Sequence, residues 1–324
     1  MHKMEAEDNS HRIFVALGAA VALLASCSEP KEKVEPEPAG LTATPATETP
    51  PTETPSGEWA CPPSTLGARM VLIPVDEGKP YCIDEREGTY GEYKEFLAAK
   101  GADFSGQPPE CDWNDDYGPV SSEVPAWSAE GIPVNYGPPI EDADPDRAVQ
   151  GVDFCDAWAF CSWAGKRLCG LRGAPPGKVT TVDLVVNPET GERSHAEPVH
   201  TVKNEWFNVC SQGGTTKYPY GDELRPGACF DDTQYAAKGE GAWKVRDVAG
   251  NDCHGTQPPY DKVFNMSGTS TWVNICSTYS CPTMGSLGGY EQQQCTGNGA
   301  MTPQELHSGV RCCADAGTGV GPWP

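Results

Sequence analysis

The 324-residue chain has little positive charge: 23 Lys and Arg stand against 46 Asp and Glu, for a formal net charge of −23. Following a phosphate backbone requires clustered basic side chains, so nucleic acid is excluded as a partner. Long apolar runs are scarce as well, and after residue 25 none is long enough to cross a bilayer as a helix. No Cys-x-x-Cys pair occurs, and His254 beside Cys253 has no second histidine near it, which argues against structural zinc. Neither a glycine-rich phosphate loop nor a nucleophile elbow is present. His254 near Asp252 and His307 beside Ser308 read as loop residues rather than acid–base groups.

What the chain does have is proline, glycine and cysteine: 31, 36 and 15 residues. With a mean hydropathy of −0.49, this composition describes a loop-rich and turn-rich molecule rather than a helical bundle or a dinucleotide-binding fold. Residues 13–25 form a short apolar run after His11 and Arg12, matching the core of a signal peptide. The run ends at Leu24-Ala25-Ser26-Cys27, which resembles the bacterial lipobox and implies lipid on Cys27 as the first mature residue. Export puts the remaining fourteen cysteines where disulfides persist. Fourteen thiols allow roughly 135,000 connectivities, so counting cannot choose among them.

Composition divides the chain into a signal segment 1–27, a tether 28–58, a globular domain 59–316 and a tail 317–324. The tether is almost entirely Pro, Glu, Thr, Ala, Ser and Lys, with too little apolar surface to offset its ordering entropy. Its prolines favour extended geometry that holds the domain away from the lipid. Within the domain, residues 89–100 predict an amphipathic helix with Tyr93, Phe96 and Leu97 on one face and Gly101 as its stop. Residues 152–164 predict a second helix, nearly all apolar and therefore buried, with Trp158 and Trp163 in the core. Residues 180–202 read as an inserted hairpin turning at Asn187-Pro-Glu-Thr-Gly191.

Several motifs, in order, resemble the formylglycine-generating-enzyme or sulfatase-modifying-factor (FGE-sulfatase) family over about residues 70–315. They are Met70-Val-Leu-Ile-Pro, Tyr81-Cys-Ile-Asp-Glu-Arg-Glu-Gly-Thr-Tyr, and Val152-Asp-Phe-Cys-Asp-Ala-Trp-Ala-Phe-Cys-Ser-Trp-Ala-Gly-Lys-Arg-Leu168. After the insertion come Asn204-Glu-Trp-Phe, Tyr218-Pro-Tyr-Gly-Asp222 and Ser308-Gly-Val-Arg-Cys312. The resemblance implies an α+β, C-type-lectin-like fold of twisted antiparallel strands, two helices and long disulfide-stapled loops. It also implies bridges Cys161 to Cys312 and Cys210 to Cys295, with Cys313 as the alternative partner of Cys161.

Catalytic members resemble copper oxidases, with two cysteines five positions apart just after a Gly-Gly-Ser turn, holding Cu(I) as soft thiolates. Here the corresponding turn is Gly285-Ser286-Leu-Gly-Gly289, and the two positions fall near Gly285 and Tyr290, neither a cysteine. Cys276 and Cys281 have the right separation but precede the turn. They read as a local disulfide pinching residues 277–280; the alternative is a displaced copper pair serving as the catalytic cysteines.

Calcium is the other cofactor left open. The family's Glu-bearing Gly-Asn loop is replaced by Gly268-Thr-Ser-Thr-Trp272-Val, which lacks the hard carboxylate ligand. Phe230 stands in place of an Asn ligand, with Asp231 and Asp232 following. Asp112-Trp-Asn-Asp-Asp116 with Glu123 superficially fits an EF-hand loop, but Tyr117 occupies the glycine position and an acidic solvated loop is the better reading.

The sequence thus points to a lipid-anchored bacterial envelope protein with a noncatalytic FGE-like domain that binds a glycan, peptide or envelope protein. Nine tryptophans and eleven tyrosines suit such a surface. Ser28 lacks the Asp that retains some lipoproteins in the inner membrane, which favours the outer membrane or cell surface. The competing readings are a copper- and oxygen-dependent formylglycine-generating-type oxidase and a stiff envelope spacer with no ligand.

Overall fold

The strand Tyr81–Asp84 is buried at every position, so both faces of the sheet must be covered at that point. Alternation sends Tyr81 and Ile83 into one apolar cluster with Val71, Ile73 and Cys313. Cys82 faces the other way, against Ala314 and Ala316. This strand lies second in a four-stranded antiparallel sheet ordered Met70–Ile73, Tyr81–Asp84, Cys312–Asp315, Arg167–Leu168. The register pairs Val71 with Ile83, Ile83 with Cys313, and Cys312 with Leu168. One sheet therefore joins the opening, middle and closing parts of the domain.

The computed structural model describes residues 58–120, 126–127, 133–134, 138–175, 178–181, 184–186, 193–195, 197–225, 228–229, 253–266, 271–276, 281–285, 294–304 and 308–318. Cys27 and the tether to residue 57 lie outside the described residues. A second sheet has the order Thr271–Trp272, Cys281–Met284, Asn298–Met301. Leu184–Val186 and Arg193–His195 form an antiparallel hairpin within the inserted stretch. Gly317–Thr318, assigned to the tail from composition, pairs with Trp59–Ala60. The domain thus continues at least through Thr318, because its first and last described strands satisfy each other's backbone groups.

Two helices pack against each other beside this sheet. α1 (Tyr90–Lys100) opens on a capping box in which Thr89 accepts from the Glu92 amide and Glu92 accepts from the Thr89 amide. It ends at Gly101, whose φ of 52° suits glycine. α2 (Phe154–Trp163) repeats the capping box with Asp153 and Asp156. The helices meet through Tyr93 stacked on Phe160 at 5.6 Å, with Phe96 edge-on to the same ring. Phe96 and Tyr93 are fully buried, Leu97 only partly. Gly88, just before α1, passes so close to the core that a Cβ there would lie 2.9 Å from Val310. A third helix, α3 (Glu205–Cys210), corrects the expectation of two. It spans fewer than two turns, too short for helical periodicity to register in the sequence. Its N-cap is Asn204, whose side chain accepts from the Trp206 and Phe207 amides.

Between the sheet and the helices runs a buried polar network. Lys166 Nζ donates to Asp84 Oδ1 at 2.7 Å and to the Ala68 carbonyl, and both charged side chains are almost fully buried. Asp84 Oδ2 accepts from the Cys312 amide, while Arg311 donates to the carbonyls of Asp84 and Phe264. Glu87 completes the set, 3.6 Å from Arg311 and accepting from Asn265. Three sequence-distant motifs meet here, around Asp84, Lys166 and Arg311.

Seven disulfides use all fourteen cysteines from Cys61 onward. Cys161 joins Cys312, and Cys313 joins Cys169, so neighbouring residues of the closing strand are tied to α2 and to the loop beyond the edge strand. Cys210 joins Cys295 across 85 residues, a crosslink worth ~4.6 kcal/mol in a chain-entropy treatment. So many bridges belong to an oxidising compartment, extracellular or periplasmic. Among the described residues no helix is long and apolar enough to cross a membrane.

Removing one partner of a buried ion pair leaves the other charge uncompensated. We expect Lys166→Met to cost about 3–5 kcal/mol in denaturant unfolding of the disulfide-intact protein. Asp84→Asn combined with Lys166→Met should cost less than Lys166→Met alone, because no bare charge remains. Similar losses in the single and double variants would show that the pair does not organise the core.

Candidate functional site

The cysteines singled out for copper are joined to each other: Cys276 and Cys281 form a disulfide. Its sulfurs are not thiolates and do not supply the soft donor pair that Cu(I) needs. Gly285, near which the sequence resemblance led us to expect one of the two catalytic positions, is buried with φ at 104°, a backbone region that disfavours any side chain. The donor set therefore does not fit copper. Tyr290 lies outside the described residues.

The calcium candidates are similarly dispersed. Trp272 and Val273 are buried, with Trp272 donating to the Val152 carbonyl, so this part of the loop points core side chains inward instead of offering oxygens. Phe230, Asp231, Asp232 and Glu123 lie outside the described residues. In the acidic loop Asp112 is exposed, whereas Asn114 turns inward and donates to Asp156 Oδ1 and Gln107 Oε1. Cys111–Cys155 fastens the loop to the start of α2, which accounts for the inward turn. His254 hydrogen-bonds the neighbouring Gly255 carbonyl and packs against Phe264; His307 lies outside the described residues.

A cleft of about 910 Å³ opens at the Arg167–Leu168 edge of the main sheet. Sequence reading missed it, because its walls come from distant segments: the turn at residues 77–81, the stretch after Leu168, Lys203 and Glu205, Asn274, and the pairing of Trp59 with the strand at Gly317–Thr318. Its floor is a satisfied ionic cluster. Arg167 makes two 2.7 Å bonds to the Glu205 carboxylate and a 2.6 Å bond to Asp315. Burial opposes the Arg167 charge, but Glu205 and Asp315 outweigh it and raise the guanidinium above its ordinary range. Glu205 also accepts from the Gly170 amide, and its carbonyl accepts from the Tyr81 hydroxyl. Burial, then Glu205, pushes that phenol well above the usual value. One signal was available: residues 166–203 hold six Lys and Arg against four Asp and Glu, in a chain that is otherwise strongly acidic.

Buried carboxyls elsewhere govern the response to pH. Burial raises Asp84 to about 6 although Lys166 pulls it down, and burial likewise raises Asp153 to about 6. Asp156 is pushed further upward, by burial and then by the Asp153 charge. Asp153 and Asp156 therefore hold protons in the folded chain that the unfolded chain releases near pH 4. Stability should then fall as pH rises from about 4 through 6. Melting followed by circular dichroism should give a higher midpoint at pH 5 than at pH 7. Relief of the net negative charge acts in the same direction, so the diagnostic result is a flatter profile in Asp153→Asn and Asp156→Asn. Unchanged slopes in both would refute the assignment.

The sulfatase-modifying factor enzyme 1-like domain family matches residues 73–269. That is more than half of the chain, yet it stops short of Cys276 and of the closing strand. No curated protein matches the sequence. Among solved structures, PvdO from Pseudomonas aeruginosa is 15% identical with a TM-score of 0.43, covering 78% of this chain and 92% of that one. CarF is 16% identical with a TM-score of 0.37, covering 78% and 97%. Neither likeness bears on activity.

Proposed function

The chain belongs to the sulfatase-modifying factor enzyme 1-like (FGE-sulfatase) family, and we propose that it is a noncatalytic, lipid-anchored member that presents a binding surface outside the cytoplasm. The observation that carries this reading is the Cys276–Cys281 bridge, one of seven that leave no free thiol among the fourteen cysteines from Cys61 onward. A copper oxidase of this family needs two thiolates that also meet a substrate cysteine, and a disulfide supplies none. What remains is a rigid, crosslinked scaffold with long loops, suited to hold a glycan, peptide or envelope protein with little ordering cost. The five-residue separation of Cys276 and Cys281 is the one feature favouring the oxidase reading.

Alkylation of the denatured, unreduced protein followed by mass spectrometry decides between them. The expected result is no free thiol among the fourteen cysteines after Cys27, and no stoichiometric copper after reconstitution with Cu(I). Labelling of Cys276 and Cys281 with one copper bound per chain would sink the noncatalytic reading.

The anchor is tested separately. Cys27→Ser should move the protein from the membrane fraction to the soluble periplasmic or secreted fraction and abolish incorporation of labelled fatty acid. Retention in the membrane fraction with label unchanged would remove lipid on Cys27 from the reading.

A further inference from the structure

The cleft at the sheet edge is built by residues that interrupt the family's sequence pattern. By the motif resemblance, the stretch between the Gly-Lys-Arg-Leu block and Asn204-Glu-Trp-Phe is an insertion. The intervening stretch supplies Leu171, Arg172, Pro175 and Lys203 to the wall. Lys79 and the half-buried Trp59 also line it.

The charges in this wall are unequal in their commitments. Glu205 and Asp315 are both engaged by Arg167, and Glu205 by the Gly170 amide as well. Arg172 is held in place by the carbonyls of Val202 and Glu77, so its charge faces dipoles and no carboxylate. Lys79 and Lys203 are exposed, and among the described residues neither has a carboxylate partner. Glu77 is the one acid of the lining outside the Arg167 cluster. On a chain of net charge −23, this is a local cationic site.

We infer that the cleft binds a short saccharide carrying a carboxylate or sulfate, held by Arg172, Lys79 and Lys203 and laid against Trp59. The inference rests on the binding reading above and gives it a ligand class. Size fits, because clefts of this volume enclose small molecules. A long polyanion is disfavoured, since the rest of the surface repels it. A peptide adding itself as a strand is disfavoured too: the sheet's edge strand is two residues long, and the nearby Gly170 amide is already taken by Glu205. A ring against Trp59 with one or two oxyanions on fixed cations satisfies both limits.

The test is isothermal titration of the intact, disulfide-bonded protein at low salt with digalacturonate, neutral digalactose, N-acetylglucosamine 6-sulfate, sodium sulfate and an acidic tetrapeptide. At least one acidic sugar should bind about tenfold or more tighter than digalactose, sulfate ion or the peptide. Lys79→Gln with Lys203→Gln should weaken it by about tenfold or more, with an unchanged melting midpoint. Arg172→Gln should weaken it similarly. Equal affinity for acidic and neutral sugars, undiminished affinity in the lysine double variant, or preference for sulfate ion or peptide overturns the assignment. A glycan array separates this failure from the broader one. A neutral glycan bound equally by wild type and double variant overturns the cleft assignment but leaves the binding reading standing, whereas binding to no glycan, peptide or envelope extract overturns both.

Discussion

The ion pair between Lys166 and Asp84 is the constraint around which the domain is arranged. Each charge is buried, which costs several kcal/mol per ion unless partners are in place. Those partners come from elsewhere in the chain: the Ala68 carbonyl, the Cys312 amide and, through the Asp84 carbonyl, Arg311. Satisfying the pair therefore requires the opening strand, the end of α2 and the closing strand to converge. An apolar core could assemble with its strands slipped by two residues; this network could not, because a slip would strand two charges away from water.

Regular structure contributes comparatively little. The strands are two to four residues long and α3 is under two turns, so covalent links take over the task of holding long loops. The adjacent cysteines of the closing strand point to opposite faces and are crosslinked to different elements, Cys312 to α2 and Cys313 to Cys169. Alternation along a strand makes this division possible. The sheet is pinned on both sides while the connecting loops stay long enough to form walls.

That arrangement separates scaffold from site. The family's motifs fall on the buried network and the sheet, where their role is packing and charge compensation. Gly285 is a glycine in left-handed geometry, and the Cys276–Cys281 pair just before it is closed upon itself. The chain's own insertion instead raises a wall beside the edge strand and converts a satisfied Arg167–Glu205 pair into the floor of an open cleft. The stability of the fold rests on this buried network and its disulfides, so sharing the fold does not by itself carry an activity.

How much of this was legible depends on the range over which each signal acts. Capping residues and apolar spacing are local, and they located α1 and α2 to within two residues; the Gly-Lys-Arg-Leu and Gly-Val-Arg-Cys motifs identified the family. The α+β class followed from that resemblance. α3 escaped because six residues carry no period, and the strand at Gly317–Thr318 escaped because its partner lies at the far end of the domain. The cleft left only a faint trace, a mildly basic stretch in an acidic chain. Sequence by itself determined the family and the redox compartment implied by so many cysteines, since each is carried by residue identity at short spacing. Only tertiary structure decided that Cys313 pairs with Cys169, that Asp84 and Lys166 meet, and where the open cations gather. Those facts depend on contacts between residues 80 to 230 positions apart, which no local pattern encodes.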